Sequence, residues 1–286
     1  MPTSMRSLKS DINNMASHSN SDQIMVTVIT IVLNGINHIN ETINSVLMQD
    51  YQPIEYIIID GGSTDGTLEV IDNYRRYISK VVSEPDEGIY YAINKGIRLA
   101  NGNLIGLIHC GDYYEPTAVS DVVNVFVQTG MDVIYGNLKV IEEHETGNLS
   151  RLLRADHRHM KKHMSIHHPS SFVSRDCYQR LGLYDTRYRS ASDYDFFLRC
   201  YLGGAKYYHL DKMLATFRQG GMSTIIKFDE QFYIHTRHLG IFNAVRYVSS
   251  TYCLHSWYRL RKLLVESVIG KKKYMKLKQM KYHDRR

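Results

Sequence analysis

Apolar residues gather along this chain in short β-branched runs, separated by stretches with helical spacing. The first run, Val26-Thr27-Val28-Ile29-Thr30-Ile31-Val32-Leu33, ends abruptly in Asn34-Gly35. The second, Tyr56-Ile57-Ile58-Ile59, ends in Asp60-Gly61-Gly62-Ser63. Such runs predict strands covered on both faces, as in parallel sheets. Between them, His38 to Gln49 carries Ile39, Ile43, Val46 and Leu47 at helical spacing. A strand–helix–strand unit with a right-handed crossover follows. In open α/β sheets, ligands bind at the carboxyl ends of the strands, where these polar loops gather.

The alternation continues. Thr67 to Tyr77 predicts a second helix, Ile78 to Ser83 a short third strand, and Gly88 to Ala100 a helix with Ile89, Ala92, Ile93, Ile97 and Ala100 inward. Leu104 to His109 is a fourth strand delivering Cys110-Gly111-Asp112 to the same edge. A helix over Ala118 to Val127 and a strand over Val133 to Asn137 complete the regular part. Beyond it, Leu138 to Ile141 and Ser150 to Leu153 suit a hairpin around Thr146-Gly147-Asn148. Helices follow at Cys177 to Leu183 and Asp193 to Tyr201, then strands at Tyr207 to Leu210 and Leu214 to Phe217. Residues 1–23, rich in Ser, Asn and Asp, read as a disordered leader. Met25 directly before the first strand leaves a later start open. Phe228 to about Gly270 reads helical and aromatic, and a lysine-rich tail closes the chain.

The 286 residues, 43% of them hydrophobic, suffice for one large α/β domain with a small C-terminal extension. A net charge of +6 fits anionic partners such as nucleotide-sugar diphosphates or anionic lipid. Nucleic acid would need a basic stripe interleaved with aromatics, and none occurs outside the tail, so no nucleic-acid partner is expected. Cys110, Cys177, Cys200 and Cys253 form no CxxC pair and no disulfide framework, which favours a reducing cytoplasm. No run approaches the ~20 apolar residues of a spanning helix, and no signal-peptide core precedes Ser21-Asp22. The expectation is a soluble or peripheral protein.

The ordered series Thr30-Ile31-Val32-Leu33-Asn34, Ile59-Asp60-Gly61-Gly62-Ser63-Thr64-Asp65-Gly66-Thr67, Ser83-Glu84-Pro85-Asp86-Glu87-Gly88, Ala92-Ile93-Asn94-Lys95-Gly96, His109-Cys110-Gly111-Asp112 and Ala191-Ser192-Asp193-Tyr194-Asp195 resembles the family 2 glycosyltransferases. It is most similar to bacterial members that build capsule, exopolysaccharide or O-antigen units. The resemblance implies a GT-A fold, a Rossmann-like, mostly parallel central sheet flanked by helices, here with a helical, basic C-terminal extension. The implied division is a nucleotide-sugar-binding half over residues 24–137, an acceptor-binding half over 138–225 and the extension over 226–286. It also implies an inverting transfer from a nucleotide sugar, a UDP- or GDP-sugar, to a glycan or lipid-linked saccharide acceptor.

Such a transfer needs the departing diphosphate neutralised, usually by Mg²⁺ or Mn²⁺, and a base across the sugar from it. Asp112 closes the family's Asp-x-Asp position and is the expected metal ligand. Its first acid is replaced by Cys110, a poor ligand for hard cations, so phosphates, water and His167 or His168 would have to complete the site. Asp193 falls where relatives carry the base, and Asp195 better suits capping the helix. Thr30, Asn34, Asp60 and Asp86 fall to the donor nucleotide. For Asp60, a turn-capping role is equally open. Arg218, opening the loop Arg218-Gln219-Gly220-Gly221-Met222-Ser223, is a candidate diphosphate partner. Trp257 to Leu264 with the lysine-rich tail suits an anionic membrane surface or a docked helix. The location implied is cytoplasmic, at the inner face of the cell membrane if that end binds lipid.

Two other readings compete. A sugar nucleotidyltransferase would want a glycine-rich basic loop after the first strand, which Asn34-Gly35-Ile36-Asn37 does not supply. A non-catalytic binding protein derived from a transferase draws weight from Cys110, against the retained Asp60, Asp112 and Asp193.

Overall fold

The computed structural model describes residues 23–143, 148–219, 228–247 and 249. The leader, the turn at 144–147, the loop at 220–227 and the basic C-terminal end, including the segment Trp257 to Leu264, lie outside the described residues. Its first half is wound as the hydrophobic pattern predicts. β1 (Val26–Val32), α1 (Ile39–Leu47), β2 (Ile54–Asp60), α2 (Thr67–Asp72), β3 (Lys80–Ser83), α3 (Ile89–Leu99) and β4 (Leu104–Leu107) follow one another. The second half adds β5 (Tyr113–Tyr114), α4 (Ala118–Thr129), β6 (Val133–Glu142), β7 (Leu149–Leu153), β8 (Ser171–Ser174), α5 (Arg175–Leu181), α6 (Ser192–Leu202), β9 (Tyr207–Gln219) and α7 (Phe228–Leu239).

The nine strands of the described residues form one sheet in the order β3-β2-β1-β4-β8-β6-β9-β5, with β7 paired to β6. β1 is its buried centre, every residue from Val26 to Val32 being covered. It pairs in parallel with β2 on one side and β4 on the other. On one face Ile29, Ile31, Ile57 and Ile59 pack with Ile93 and Ile97 of α3 and with Phe196 and Phe197 of α6. On the other, Val28, Tyr56 and Ile58 pack with Ile39, Ile43 and Val46 of α1 and Val119 and Val122 of α4. Each such side chain contributes about 1.5–3 kcal/mol by leaving water, which is why the runs carry almost no polar residue.

The parallel character extends over β3-β2-β1-β4 and then changes. β8 runs antiparallel to β4, with Gly106 opposite Phe172, and antiparallel to β6. Gly106 allows this approach: a Cβ there would sit 2.6 Å from the Phe172 ring and 2.6 Å from the Tyr114 hydroxyl. β6 and β9 run parallel across a register shift near Asn137. β5 and β8 carry no periodic signal. β8 holds only Phe172 and Val173 between serines, and its placement comes from β-sheet partners on both sides. β9 is one continuous strand where the pattern suggested two, because Asp211 to Met213 passes through it at the shifted register.

α7 packs on the start of α6. The Glu230 carboxylate accepts the backbone N–H groups of Arg189, Ser190 and Ala191, satisfying donors ahead of the helix. His235 donates or accepts at the Tyr194 hydroxyl, 2.9 Å away, with its ring stacked on Tyr247. Burial pushes this imidazole down from 6.5 to about 4. The unfolded chain therefore binds a proton near pH 6.5 that the folded chain refuses until about pH 4. Stability present above pH 6.5 is lost as pH falls through this window, by roughly 3 kcal/mol when complete. His235→Phe is expected to flatten the acid limb of a thermal-unfolding profile measured from pH 7 to 4.

Candidate active site

The carboxyl ends of β1, β2 and β4, the turn before β8, the start of α6 and the end of β9 surround one cavity of about 680 Å³. Asn34, Asp86, Cys110, Asp112, His168, Asp193 and Arg218 are among its lining residues. Most candidates scattered over the sequence thus meet at one place. Thr30 and Asp60 do not reach it.

Thr30 lies fully buried inside β1, its hydroxyl 3.0 Å from that of Tyr56. A nucleotide contact through its side chain is therefore corrected: the period-2 geometry of a strand points it into the core opposite the cavity residue Ile31. Asp60 is likewise corrected as a base contact. Its carboxylate accepts the N–H groups of Gly62 and Ser63 at 3.1 and 3.0 Å and the Ser83 hydroxyl at 2.7 Å, besides a short bond from the Ser63 hydroxyl. With no solvent exposure and its acceptor sites filled, it holds the turn and ties β2 to β3.

Asn34 occupies the left-handed region at φ 51, which asparagine tolerates. Its side-chain oxygen accepts the N–H of Thr64, and its own N–H donates to the Ser63 hydroxyl, so the loops after β1 and β2 are clamped together. Asp86 is nearly buried. One carboxylate oxygen takes Lys95 Nζ at 2.7 Å, and Oδ2 has no partner. Such an acceptor is suited to an N–H or hydroxyl donor from a ligand.

Asp112 is positioned by α1. The Thr42 hydroxyl donates to the Asp112 carbonyl and accepts the Gly111 N–H, fixing the turn where Gly111 takes φ 99. Asp112 Oδ1 accepts the backbone N–H of Arg218 at 3.0 Å. Burial pushes the Asp112 carboxyl up to about 7, against the pull of that N–H and the charges of His168 and Arg218. The Arg218 guanidinium bonds to Glu41 of α1 and to Glu143 beyond β6. Together they form a charged clasp at the cavity mouth.

Cys110 turns its thiol toward the Gly35 carbonyl, 3.5 Å away. Burial and the nearby charges of Asp112 and Asp65 push it up to about 12. A soft sulfur is in any case a poor partner for hard cations such as Mg²⁺. Gly35 leaves room for it, since a Cβ there would lie 2.4 Å from Sγ. Among the described residues no cluster of three metal-ligating side chains occurs. Among the described residues Asp112 keeps one carboxylate oxygen without a hydrogen-bond partner, and a buried carboxyl held up near 7 is a group that gains from an adjacent cation. The arrangement fits a cation shared between one carboxylate and ligand phosphates, the usual habit of Mg²⁺ sites.

Asp193 opens α6. Its Oδ1 accepts the N–H of Tyr194 at 2.8 Å and lies 3.5 Å from the Tyr90 hydroxyl. Asp195 is fully buried between Arg199 and His238, a structural role. His167 is buried with its imidazole pushed down to about 4, by burial first and the charge of His168 second. Sequence reasoning missed Tyr90, His109, Tyr184, Glu41 and Glu143, all cavity or mouth residues. Their signals were ordinary helix or strand positions, so nothing in the pattern separated them from core or surface.

The family model described as glycosyl transferase family 2 matches residues 27–187. This chain belongs to that family. As a family 2 glycosyltransferase it is 31% identical over 188 residues to a glycosyltransferase of Mycobacterium tuberculosis, covering 62% of this chain and 69% of that one. It is 27% identical over 211 residues to a PGL/p-HBAD biosynthesis glycosyltransferase of Mycobacterium bovis, covering 71% and 80%. Among solved structures, Staphylococcus aureus TarS in complex with UDP-GlcNAc superposes with a TM-score of 0.61 at 18% identity, over 75% of this chain and 65% of that one. A Pyrobaculum calidifontis mannosyltransferase in complex with GDP-Man and Mn²⁺ gives 0.54 at 15% identity, over 84% and 71%. The fold is GT-A, with a mixed α/β sheet flanked by helices.

The Asp60 network generates a prediction for this glycosyltransferase. Asp60→Ala leaves Gly62, Ser63 and Ser83 without their acceptor and is expected to cost about 2–4 kcal/mol in urea unfolding. Nucleotide affinity of the folded fraction should then be unchanged.

Proposed function

We propose that this chain is an inverting glycosyltransferase. It moves a sugar from a UDP- or GDP-sugar to a glycan or lipid-linked saccharide in cell-surface polysaccharide biosynthesis. The observation that carries this reading is that Asp112 and Asp193 line one cavity together with the unpartnered Asp86 Oδ2. Support also comes from TarS, solved with UDP-GlcNAc, from the mannosyltransferase solved with GDP-Man, and from the mycobacterial PGL/p-HBAD relative. The working division is a donor half over residues 24–137 and an acceptor half over 138–225.

In this reading Asp86 and Asn34 receive the nucleotide, and Arg218 exchanges its carboxylate partners for the diphosphate. Asp112, with the donor's phosphate oxygens, would hold Mg²⁺ or Mn²⁺, which when bound neutralises charge on the diphosphate. Asp193 Oδ2 takes the proton of the acceptor hydroxyl. The hydroxyl oxygen bonds to the anomeric carbon from the face opposite the diphosphate, the carbon–oxygen bond to phosphate breaks, and the anomeric configuration inverts.

A panel of UDP-, GDP- and dTDP-sugars with Mg²⁺ or Mn²⁺ tests the reading by calorimetry and by release of nucleoside diphosphate. One donor is expected to bind, with metal dependence lost in Asp112→Ala. Asp193→Asn is expected to lower turnover by roughly 10²–10⁴-fold while donor binding persists. No nucleotide-sugar binding with either metal would sink the reading and favour a non-catalytic binding protein.

An anionic membrane surface is the second partner in this reading. No helix of the described residues is long and apolar enough to cross a membrane, and the candidate contact is the basic sequence from Trp257 onward. Polybasic segments gain about 1 kcal/mol per Lys or Arg at such surfaces. Vesicles containing phosphatidylserine should co-sediment the protein at low salt and release it at high salt.

A further inference from the structure

Several buried polar atoms lack a protein partner, and those of Asp86, His109, His168, Tyr184 and Gln219 belong to cavity residues. Native proteins rarely leave such groups unmatched, so these mark where a ligand's polar atoms go. His168 is the most constrained of them. The 3-10 turn His168–Ser170 before β8 carries it, and its ring packs on that of His109 with centroids 4.6 Å apart. Nε2 is buried without a partner. Nδ1 faces Asp193 Oδ2 across 3.9 Å.

That gap is too long for a hydrogen bond and too short to be indifferent. One oxygen placed about 2.8 Å from both atoms closes it, with an angle of about 90° at that oxygen. Asp193 Oδ1 is already engaged by the Tyr194 N–H, so Oδ2 is the carboxylate oxygen left for a ligand. An N–H at Nε2 would be a buried donor without an acceptor. With no acceptor facing Nε2, an N–H is assigned to Nδ1, toward the gap.

We propose that His168 is the second group that grips the acceptor hydroxyl. Its Nδ1–H donates to the hydroxyl oxygen while the hydroxyl donates to Asp193 Oδ2. This deepens the glycosyl-transfer reading above and rests on it. The two contacts occupy one lone pair and the proton of the hydroxyl, leaving its other lone pair for the anomeric carbon. During transfer the hydroxyl proton passes to Asp193. The new carbon–oxygen bond forms as the bond to phosphate breaks, and the nucleoside diphosphate leaves with that electron pair. His168 keeps its proton throughout. Its part is to orient the nucleophile, and the His109 ring beneath it sets the plane of the imidazole. Water has the same donor and acceptor capacity as a hydroxyl, so hydrolysis of the donor reads out this geometry before any acceptor is known.

The test uses the full chain with UDP-GlcNAc and GDP-mannose as probes, Mn²⁺ present and water as acceptor. Binding is followed by calorimetry and turnover by release of UDP or GDP. His168→Phe keeps the ring on His109 and removes the N–H. His168→Asn keeps an N–H near the position of Nδ1 and removes the ring. The expected result is a roughly 10- to 100-fold loss of kcat in His168→Phe, with nucleotide Kd and Tm unchanged. His168→Asn should recover most of that loss. Unchanged hydrolysis in His168→Phe overturns the proposal, as does His168→Asn being equally slow. Loss of metal-dependent nucleotide binding in His168→Phe overturns it too, and makes the residue a metal ligand. If the native chain neither binds nor hydrolyses either probe, the glycosyl-transfer reading itself fails and this inference goes with it.

Discussion

The antiparallel pairing of β8 with β4 is the constraint on which the site depends. Three parallel neighbours, β2, β1 and β4, send their carboxyl ends to one edge. A parallel strand on the far side of β4 would have brought another such end. β8 instead enters the sheet from that edge, so the turn His168–Ser170 stands beside His109 and Asp112. α6 packs through Phe196 and Phe197 on the same core as α3, and its start brings Asp193 to the same cavity. Gly106 makes the pairing possible, because Phe172 and the Tyr114 hydroxyl occupy the space a side chain there would need.

Charge is handled differently on the two sides of the cavity. Asp112 is buried and costly to ionise, with one backbone N–H for compensation. Arg218 links this carboxyl to the mouth, since its backbone holds Asp112 while its guanidinium is held by Glu41 and Glu143. Any anion that draws the guanidinium inward acts on the same residue that touches Asp112. Across the cavity Asp193 is partly exposed, and its support is the helix start that Glu230 prepares. α7 therefore supports the segment that carries Asp193 without lining the cavity.

The loops at the carboxyl edge of the sheet are tied together by polar groups that meet one another. Asp60 gathers the turn after β2, Asn34 and Ser63 join that turn to the end of β1, and Thr42 grips the turn after β4. These groups look like binding residues in a linear reading because binding loops and tight turns draw on the same small polar residues. The Asp60 carboxylate and the Thr42 hydroxyl are consumed internally, which leaves Asp86, the two histidines, Tyr184 and Gln219 as the unmatched cavity groups.

The sequence by itself determined the parallel half of the sheet, the order of its helices and the edge at which the polar loops gather around the cavity. Burial on both faces writes an uninterrupted apolar run, and that signal is local. It also marked Asp86, Asp112, Asp193 and Arg218 through the order of the motifs around them. Tertiary structure decided what local pattern could not carry. β8 holds two apolar residues and exists because β4 and β6 accept it on either side. Thr30 and Asp60 left the candidate list because their hydrogen bonds are filled by Tyr56, Ser63 and Ser83, partners as many as 26 residues away in sequence. His168 joined it because its neighbours His109 and Asp193 come from different elements. Whether a polar group is spent or free depends on atoms that only folding brings within 4 Å, and no spacing rule along the chain records that.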